Sequence, residues 1–590
     1  MSGDNLLFTF ASCVFFMALV GWISWLKTRG TADTKDGYFL AGRGLGATFI
    51  AGSLLLTNLS AEQLIGLNGS AYGFNMSSMG WEVTAAVATI AMALIFLPKY
   101  LAGAFTTLPQ FLNDRFDPTV RRMSVLLFML GYGLVTIPSV LYSGSLAVIA
   151  FFDVPALTGL GDFDALVMMV IVIGVIGSVY AVFGGLRAVA VSDTLNGVGL
   201  LIIGILVPVF GLVALGNGDF GAGLSTLGSE HTEKLNAIGG PDDPTPFGTI
   251  FTGMVFANLF YWCTNQYVIQ RTLGAKSLAE GQKGVLLSGF FKIMVPFMMM
   301  IPGVIAFHMY GPGLGGIDEA YPRLIRDVLP LWMSGFFLAV LLGAVLSSFN
   351  SLLNSAATLF ALDIYGPAKE ASGGKAVSDE QLVRVAKIAS VVIALFSFAV
   401  APYLSQAPEG LFQLIRKFTG FYNIPTIVIV MVGLFTARVP ALGAKIVIVF
   451  HITAYALLTF VFDEEVTLHF IHQYAVLFVI EVGIMLACGA VCPRNQAWHF
   501  TRNEKVDMTP WPYARPLAVT LFSCVVATYL LFSPLGVANS EGPGGVFAGL
   551  IATLIVGNCA FWWLASRQVE AGMRLAEGSN PGDVIKSERG

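Results

Sequence analysis

Two polar interruptions stand inside otherwise apolar stretches, LLLTNLSAEQLIG around Asn58 and VFANLFYWCTNQYVI around Asn258. Both contain an Asn-Leu pair, Asn58-Leu59 and Asn258-Leu259. Hydrocarbon offers no water to an unpaired backbone group, so a helix broken at membrane depth survives only where it lines a protein cavity. Two such breaks in corresponding halves of a chain mark a transporter's midplane binding site. The side chains there suit a hydroxyl-rich ligand, because Asn58, Gln63 and Asn258 both donate and accept, and Glu82 on the next span accepts. Tyr261 and Trp262 offer aromatic faces that cover the apolar side of a sugar ring and block its exit; the alternative is an interfacial aromatic belt.

A third polar group, Ser347, Ser348, Asn350, Ser351, Asn354 and Ser355, lies in AVLSSFNSLLNSAATLF. Sodium wants hard oxygen ligands, and hydroxyls with unwound carbonyls suffice for a single positive charge. Carbonyls freed near Leu56 and Leu59 could face Ser347, Ser348 and the Ala344 carbonyl. The competing reading is that these serines bond back to their own helix and let helices approach closely. Isolated charges inside spans are Asp193, Lys292, Arg416 and Lys417; such residues are costly and hence functional candidates. Lys292 reads as a charge partner for a buried glutamate such as Glu62, with a reach to a substrate hydroxyl or a strut between helices as the alternatives, and Glu481 reads as a packing or lipid-side residue.

These groups must be carried by membrane helices. Of 590 residues, 56% are hydrophobic and 12% charged, about half the charged share of soluble proteins, with mean hydropathy +0.77. Repeated apolar stretches of membrane length predict an all-α polytopic membrane protein with about fifteen spans. The first, from about Leu6, has no basic leader or cleavage site and reads as a retained span. A net charge of −4 gives no sign of a nucleic-acid partner. The six cysteines read as small packing residues. Placing the N-terminus outside puts most of the 32 Lys and Arg, including those of the C-terminal tail, in the cytoplasm. The polar stretch 217–246 is then an external lid or surface loop. No nucleophile–base pair, metal triad or nucleotide loop argues for an enzyme.

In order, GYFLAGRGLG, NLSAEQLIGLNGSAYG, TLPQFLNDRF, FGGLRAVAVSD, NQYVIQRTLGAKSLAEGQKG and LSSFNSLLNSAATLFALDIY resemble the sodium:solute symporter family, particularly its sodium/sugar cotransporters. The resemblance implies a LeuT-like core of five plus five inverted-repeat helices whose first and sixth are broken. The corresponding division is an extra N-terminal helix and loop at 1–36, repeats at 37–215 and 246–437, four further spans at 438–567, and a cytoplasmic tail at 568–590. It implies a plasma-membrane carrier, in a bacterium the inner membrane, that moves Na⁺ with a small solute. Sodium would be held by the Leu56, Leu59 and Ala344 carbonyls and the Ser347 and Ser348 hydroxyls, with Asp193 on its exit path. The sugar site would fall on Asn58, Gln63, Glu82, Asn258 and Lys292, with Tyr261 as inner gate. Thr136, Ala85 and Arg416 depart from that pattern, standing for asparagine, serine and glutamine. A guanidinium at Arg416 favours an acidic group, unless it pairs with Glu62 or Glu82. The expected activity is therefore sodium-driven uptake of a sugar. The alternatives are an acidic sugar, inositol, carboxylate or amino acid as cargo, or a sensor or channel.

Overall fold

The computed structural model describes residues 3–28, 40–59, 61–152, 154–314, 317–372, 377–406, 411–462, 465–500 and 506–578. The described residues are helical throughout, apart from loops and two isolated bridge pairs, Leu45 with Ala275 and Ser277 with Asp507. In chain order the helices that matter here are α1 (Gly3–Thr28), α2 (Ala47–Asn58), α3 (Ala61–Gly73), α4 (Met76–Gly103), α5 (Pro118–Ile149) and α6 (Asp162–Leu215). They continue as α7 (Gly253–Cys263), α8 (Gln266–Leu273), α9 (Leu278–Tyr310), α10 (Leu331–Ala371) and α11 (Asp379–Leu404). The chain closes with α12 (Leu411–Phe435), α13 (Ala441–Val461), α14 (Phe470–Val491), α15 (Ala514–Leu531) and α16 (Gly545–Gly578).

Among the described residues, thirteen segments are long and apolar enough to cross a membrane, two of them inside α6 at Asp162–Val179 and Ala190–Leu215. The short helices α2 and α7 are apolar too, and each passes into a second helix after a brief break. Burial grades the bundle. Nearly every residue of α10 from Met333 to Leu359 is buried, whereas the apolar stretch of α16 exposes its side chains along its length. With no water in the bilayer, α16 can present apolar residues all round, and α10 earns its central place by packing. It packs against α1, α2 and α6.

Local signals set the ends. Asp117 accepts from the Val120 N–H at 2.8 Å ahead of Pro118, and so caps α5. Glu280 of α9 reaches across the bundle to accept from the Ala47 N–H at 2.9 Å, placing a carboxylate at the positive end of α2. Four wide π-helical turns occur among the described residues, at Met92–Phe96, Tyr132–Thr136, Phe360–Tyr365 and Leu457–Val461. The 217–246 stretch is folded rather than loose. It carries a helix at Phe220–Ser229, and it is tied down by Lys234 Nζ donating to the Tyr72 carbonyl at 3.0 Å and Asn75 donating to Asp243 at 3.0 Å. The chain after Gln568 continues as helix to Gly578, its sequence being rich in helix formers.

Small residues let the helices meet. A Cβ on Gly303 of α9 would sit 2.1 Å from the Asn68 carbonyl oxygen of α3. That obstacle is backbone and cannot rotate away. Gly303→Ala is expected to lower stability by about 1–3 kcal/mol, read as a fall in the melting temperature of the purified protein. An unchanged melting temperature would show that α3 and α9 slide apart freely.

Candidate functional site

The first break follows Asn58. The Leu59 N–H still donates to the Leu55 carbonyl at 2.9 Å, but Leu59 itself is extended (φ −83°, ψ 94°) before α3 begins at Ala61. The second break is at Thr264 and Asn265, where Asn265 is extended (φ −70°, ψ 118°). Asn258 is therefore helical, and the two Asn-Leu pairs are not equivalent: one stands at a break, the other about a turn and a half before one. At the second break Tyr132 Oη donates to Asn265 Oδ1, so α5 holds the unwound corner.

Between the breaks lies a cavity of about 190 Å³. Asn58, Gln63, Glu82, Asn258, Tyr261, Trp262 and Ser348 all line it. The volume is below the usual range of about 300–1,000 Å³ for drug-sized ligands, which suits a small solute. Tyr261 receives a 2.8 Å hydrogen bond from Tyr267 Oη and stands beside Asn58. Asn258 Nδ2 donates to Thr84 Oγ1 at 2.8 Å, which leaves its carbonyl end to accept. A larger crevice of about 1460 Å³, between Lys99, Trp498, Trp511 and Phe561, contains none of these residues.

Glu82 is the electrostatic centre of the cavity wall. Gln63 Nε2 donates to its Oε1 at 3.0 Å, and Lys292 Nζ donates to its Oε2. Lys292 is 1% exposed and does not line the cavity; its ammonium also lies 5.7 Å from the Trp262 ring centroid. It thus neutralises Glu82 from behind and braces the Trp262 ring. Arg416 falls on α12, but its side chain, like that of Glu62, lies outside the described residues.

On the other side of the first break, α2 packs against α10, and Leu56, Leu59 and Ala344 are fully buried. Ser347 and Ser348 are buried as well, and neither hydroxyl makes a hydrogen bond of good geometry. Ser351, in contrast, bonds back to the Ser347 carbonyl at 2.6 Å, the self-contained habit of a membrane serine. Asp193 is wholly buried; its Oδ2 accepts from Ser53 at 2.8 Å and pairs with Arg271 at 3.7 Å. Arg271 also donates to Ser53, Ser351 and the Tyr267 carbonyl. A connected polar chain therefore runs from Tyr261, through Tyr267 and Arg271, to Asp193 beside Ser347.

Residues 38–449 match the model of the sodium:solute symporter family. The chain belongs to that family. It is 44% identical over 545 residues to the uncharacterized symporter YidK of Escherichia coli, covering 92% of this chain and 93% of that one. It is 31% identical over 463 residues to the sodium/glucose cotransporter of Vibrio parahaemolyticus, covering 75% and 82%. The fold matches that of a substrate-bound, outward-open Na⁺-coupled sialic acid symporter, with a TM-score of 0.71 at 21% identity over 83% of this chain and 99% of that one. The protein is thus a multi-pass membrane transporter with the LeuT fold, a sodium-coupled symporter and not an enzyme.

Sequence reasoning missed part of this symporter's cavity wall. Trp81, Tyr422, Asn423, Thr419 and Tyr474 line it too. Aromatic residues in apolar helices look like core. Thr419, Tyr422 and Asn423 could have been found as the polar cluster in KFTGFYNIP ahead of Pro425. Glu481, read as a packing or lipid-side residue, is fully buried against His451.

Proposed function

We propose that the protein drives uptake of a small, neutral, hydroxylated solute, a sugar, with the sodium gradient. The observation that carries this reading is the cavity itself: amides and a neutralised carboxylate flanked by Tyr261 and Trp262, adjoining the buried Ser347 and Ser348 hydroxyls. Glu82 has both oxygens engaged, by Gln63 and Lys292, so it offers its remaining lone pairs to hydroxyls without an unbalanced charge. That favours a neutral ligand over an acidic one. Sodium is assigned to the Leu56, Leu59 and Ala344 carbonyls with Ser347 and Ser348, and Asp193 to its path inward. Tyr261 and Trp262 close the inner side.

In this reading the helices fall into repeats 37–215 and 246–437, with 1–36 preceding them and 438–567 and 568–590 following. Counting α2 with α3 and α7 with α8 as single crossings gives the fifteen spans, with the N-terminus outside and the C-terminus in the cytoplasm of a bacterial inner membrane. Sodium bridges the break in α2 to α10 and so orders Asn58 and Gln63 for the solute. The repeats then rock about the site. Each ligand favours the same state, which is what couples them. One charge crossing about 100 mV contributes about 2.3 kcal/mol, and a tenfold gradient about 1.4 kcal/mol. Together they concentrate a neutral solute roughly 500-fold.

The test is sodium-gradient uptake by purified protein in vesicles, screened over hexoses, inositol, sugar acids and amino acids. Uptake of a neutral hexose or polyol is expected, with sugar acids failing to compete. A carboxylate or amino acid as the sole accumulated solute would overturn the reading. Gln63→Ala is expected to raise the solute concentration for half-maximal uptake roughly three- to tenfold. At saturating solute the sodium requirement should stay within about twofold. Equal loss of both would make Gln63 a structural residue.

A further inference from the structure

The cavity wall on α12 is held by a buried pair from helices beyond the two repeats. His451 of α13 and Glu481 of α14 are both fully buried, and they meet at 2.6 Å between Nδ1 and Oε1. The other ring nitrogen, Nε2, lies 3.0 Å from the carbonyl of Gly420 on α12. A carbonyl only accepts, so Nε2 carries a hydrogen and donates. That leaves one proton between Nδ1 and Glu481, on the ring or on the carboxyl, and in either arrangement the pair is neutral overall. The carboxyl thereby fixes the orientation of the imidazole, as second partners of functional histidines do.

Gly420 is where such a hold acts on the cavity. Its neighbour Thr419, and Tyr422 and Asn423 within the next turn, line the cavity. Pro425 lies inside the same helix and removes the N–H that would have bonded the Phe421 carbonyl. A helix freed at a proline bends easily there, and His451 grips the turn immediately before it. The Tyr455 ring stacks on His451 at 5.5 Å and lies so close to Gly420 that a Cβ would fall 2.4 Å from it. Tyr455 in turn touches Tyr474, 5.9 Å between centroids, which lines the cavity from α14. In sequence Glu481 stands out as a charge inside an apolar stretch, but nothing there ties it to His451.

We propose that His451 is a positioning residue for the solute site, setting the angle of α12 through the Gly420 carbonyl, with Glu481 aiming its ring. The proposal rests on the cavity being the solute site. It is tested by measuring half-saturation for solute and for sodium, maximal rate and melting temperature on full-length protein in vesicles. His451→Phe keeps a ring against Tyr455 but loses the bond to Gly420. It should raise the solute half-saturation roughly three- to tenfold, with the maximal rate and the sodium requirement within about twofold. Glu481→Leu leaves Nδ1 without a partner and should reproduce that shift. Glu481→Gln should behave as wild type, because its amide donates to Nδ1 while Nε2 still donates to Gly420. Should His451→Phe fold poorly, the contrast between the two Glu481 variants decides alone. Identical solute affinity in Glu481→Leu and Glu481→Gln overturns the proposal, as does a matched loss of solute affinity, sodium affinity and melting temperature. Gln63→Ala, run alongside, separates the two ideas: a solute shift there with none in the His451 and Glu481 variants removes only the positioning role. No shift in Gln63→Ala removes the cavity assignment and the positioning role with it.

Discussion

Lys292→Met should destabilise the folded protein by about 3–5 kcal/mol, the cost of leaving a buried partner charge uncompensated. Glu82 is 5% exposed at its side chain and Lys292 is 1% exposed, so neither charge is relieved by water. The expected melting temperature of Lys292→Met falls sharply. Glu82→Gln/Lys292→Met should recover most of the loss, because an amide and a thioether carry no charge to strand. Solute binding should stay weak in the double variant, since Gln63 then lacks its anionic partner and Trp262 its cation. Equal destabilisation of single and double variants would show that Lys292 stabilises by packing its stem and not by its charge.

The second large effect is expected at the serines of α10. Ser347→Ala and Ser348→Ala each remove one oxygen from the assigned sodium shell. A hydrogen bond to a charged group contributes about 1.5–3 kcal/mol, so each should raise the sodium concentration for half-maximal uptake roughly 10- to 150-fold. Because the Ser348 hydroxyl has no hydrogen-bond partner within the protein, sodium-free stability should not fall in Ser348→Ala, whereas Ser347→Ala also loses the contact with Asp193. Sodium should protect the wild type against thermal unfolding and protect these variants much less. Lost stability without sodium, together with an unchanged sodium requirement, would make the hydroxyls packing groups and dismiss the assignment.

Much of the fold was readable from residues because the bilayer punishes backbone errors. A polar break such as TNLSAEQ has no place in hydrocarbon unless it faces a cavity, and α2 does end at Asn58. The serine run on α10 was equally exposed by its setting, since that helix is buried almost throughout. What stayed hidden depends on direction around a helix. Asn258 drew attention to α7, but the break lies at Thr264 and Asn265, where short polar residues do not by themselves announce an unwound corner. Lys292 looked like a ligand or a strut; only its position behind Glu82 shows that Glu82 claims it. His451 and Glu481 are 30 residues apart and meet only through the packing of α13 on α14. Aromatic residues such as Trp81 and Tyr474 face the cavity by rotation alone.

The wide turn at Tyr132–Thr136 bears on how this helix came to be. A π turn is an α-helix that has swallowed one residue, and each added residue rotates the downstream part of the helix by about 100°. At its first residue Tyr132 grips the unwound corner at Asn265, and Thr136 at its far edge bonds back five residues to the Gly131 carbonyl at 3.0 Å while facing the cavity. Within the bulge, Gly133 has open space around its Cα. An ancestral insertion there would have re-aimed one half of α5 without disturbing the other. Lineages that lost or gained that single residue would present a different side chain at the same depth, a short evolutionary route to a new cargo.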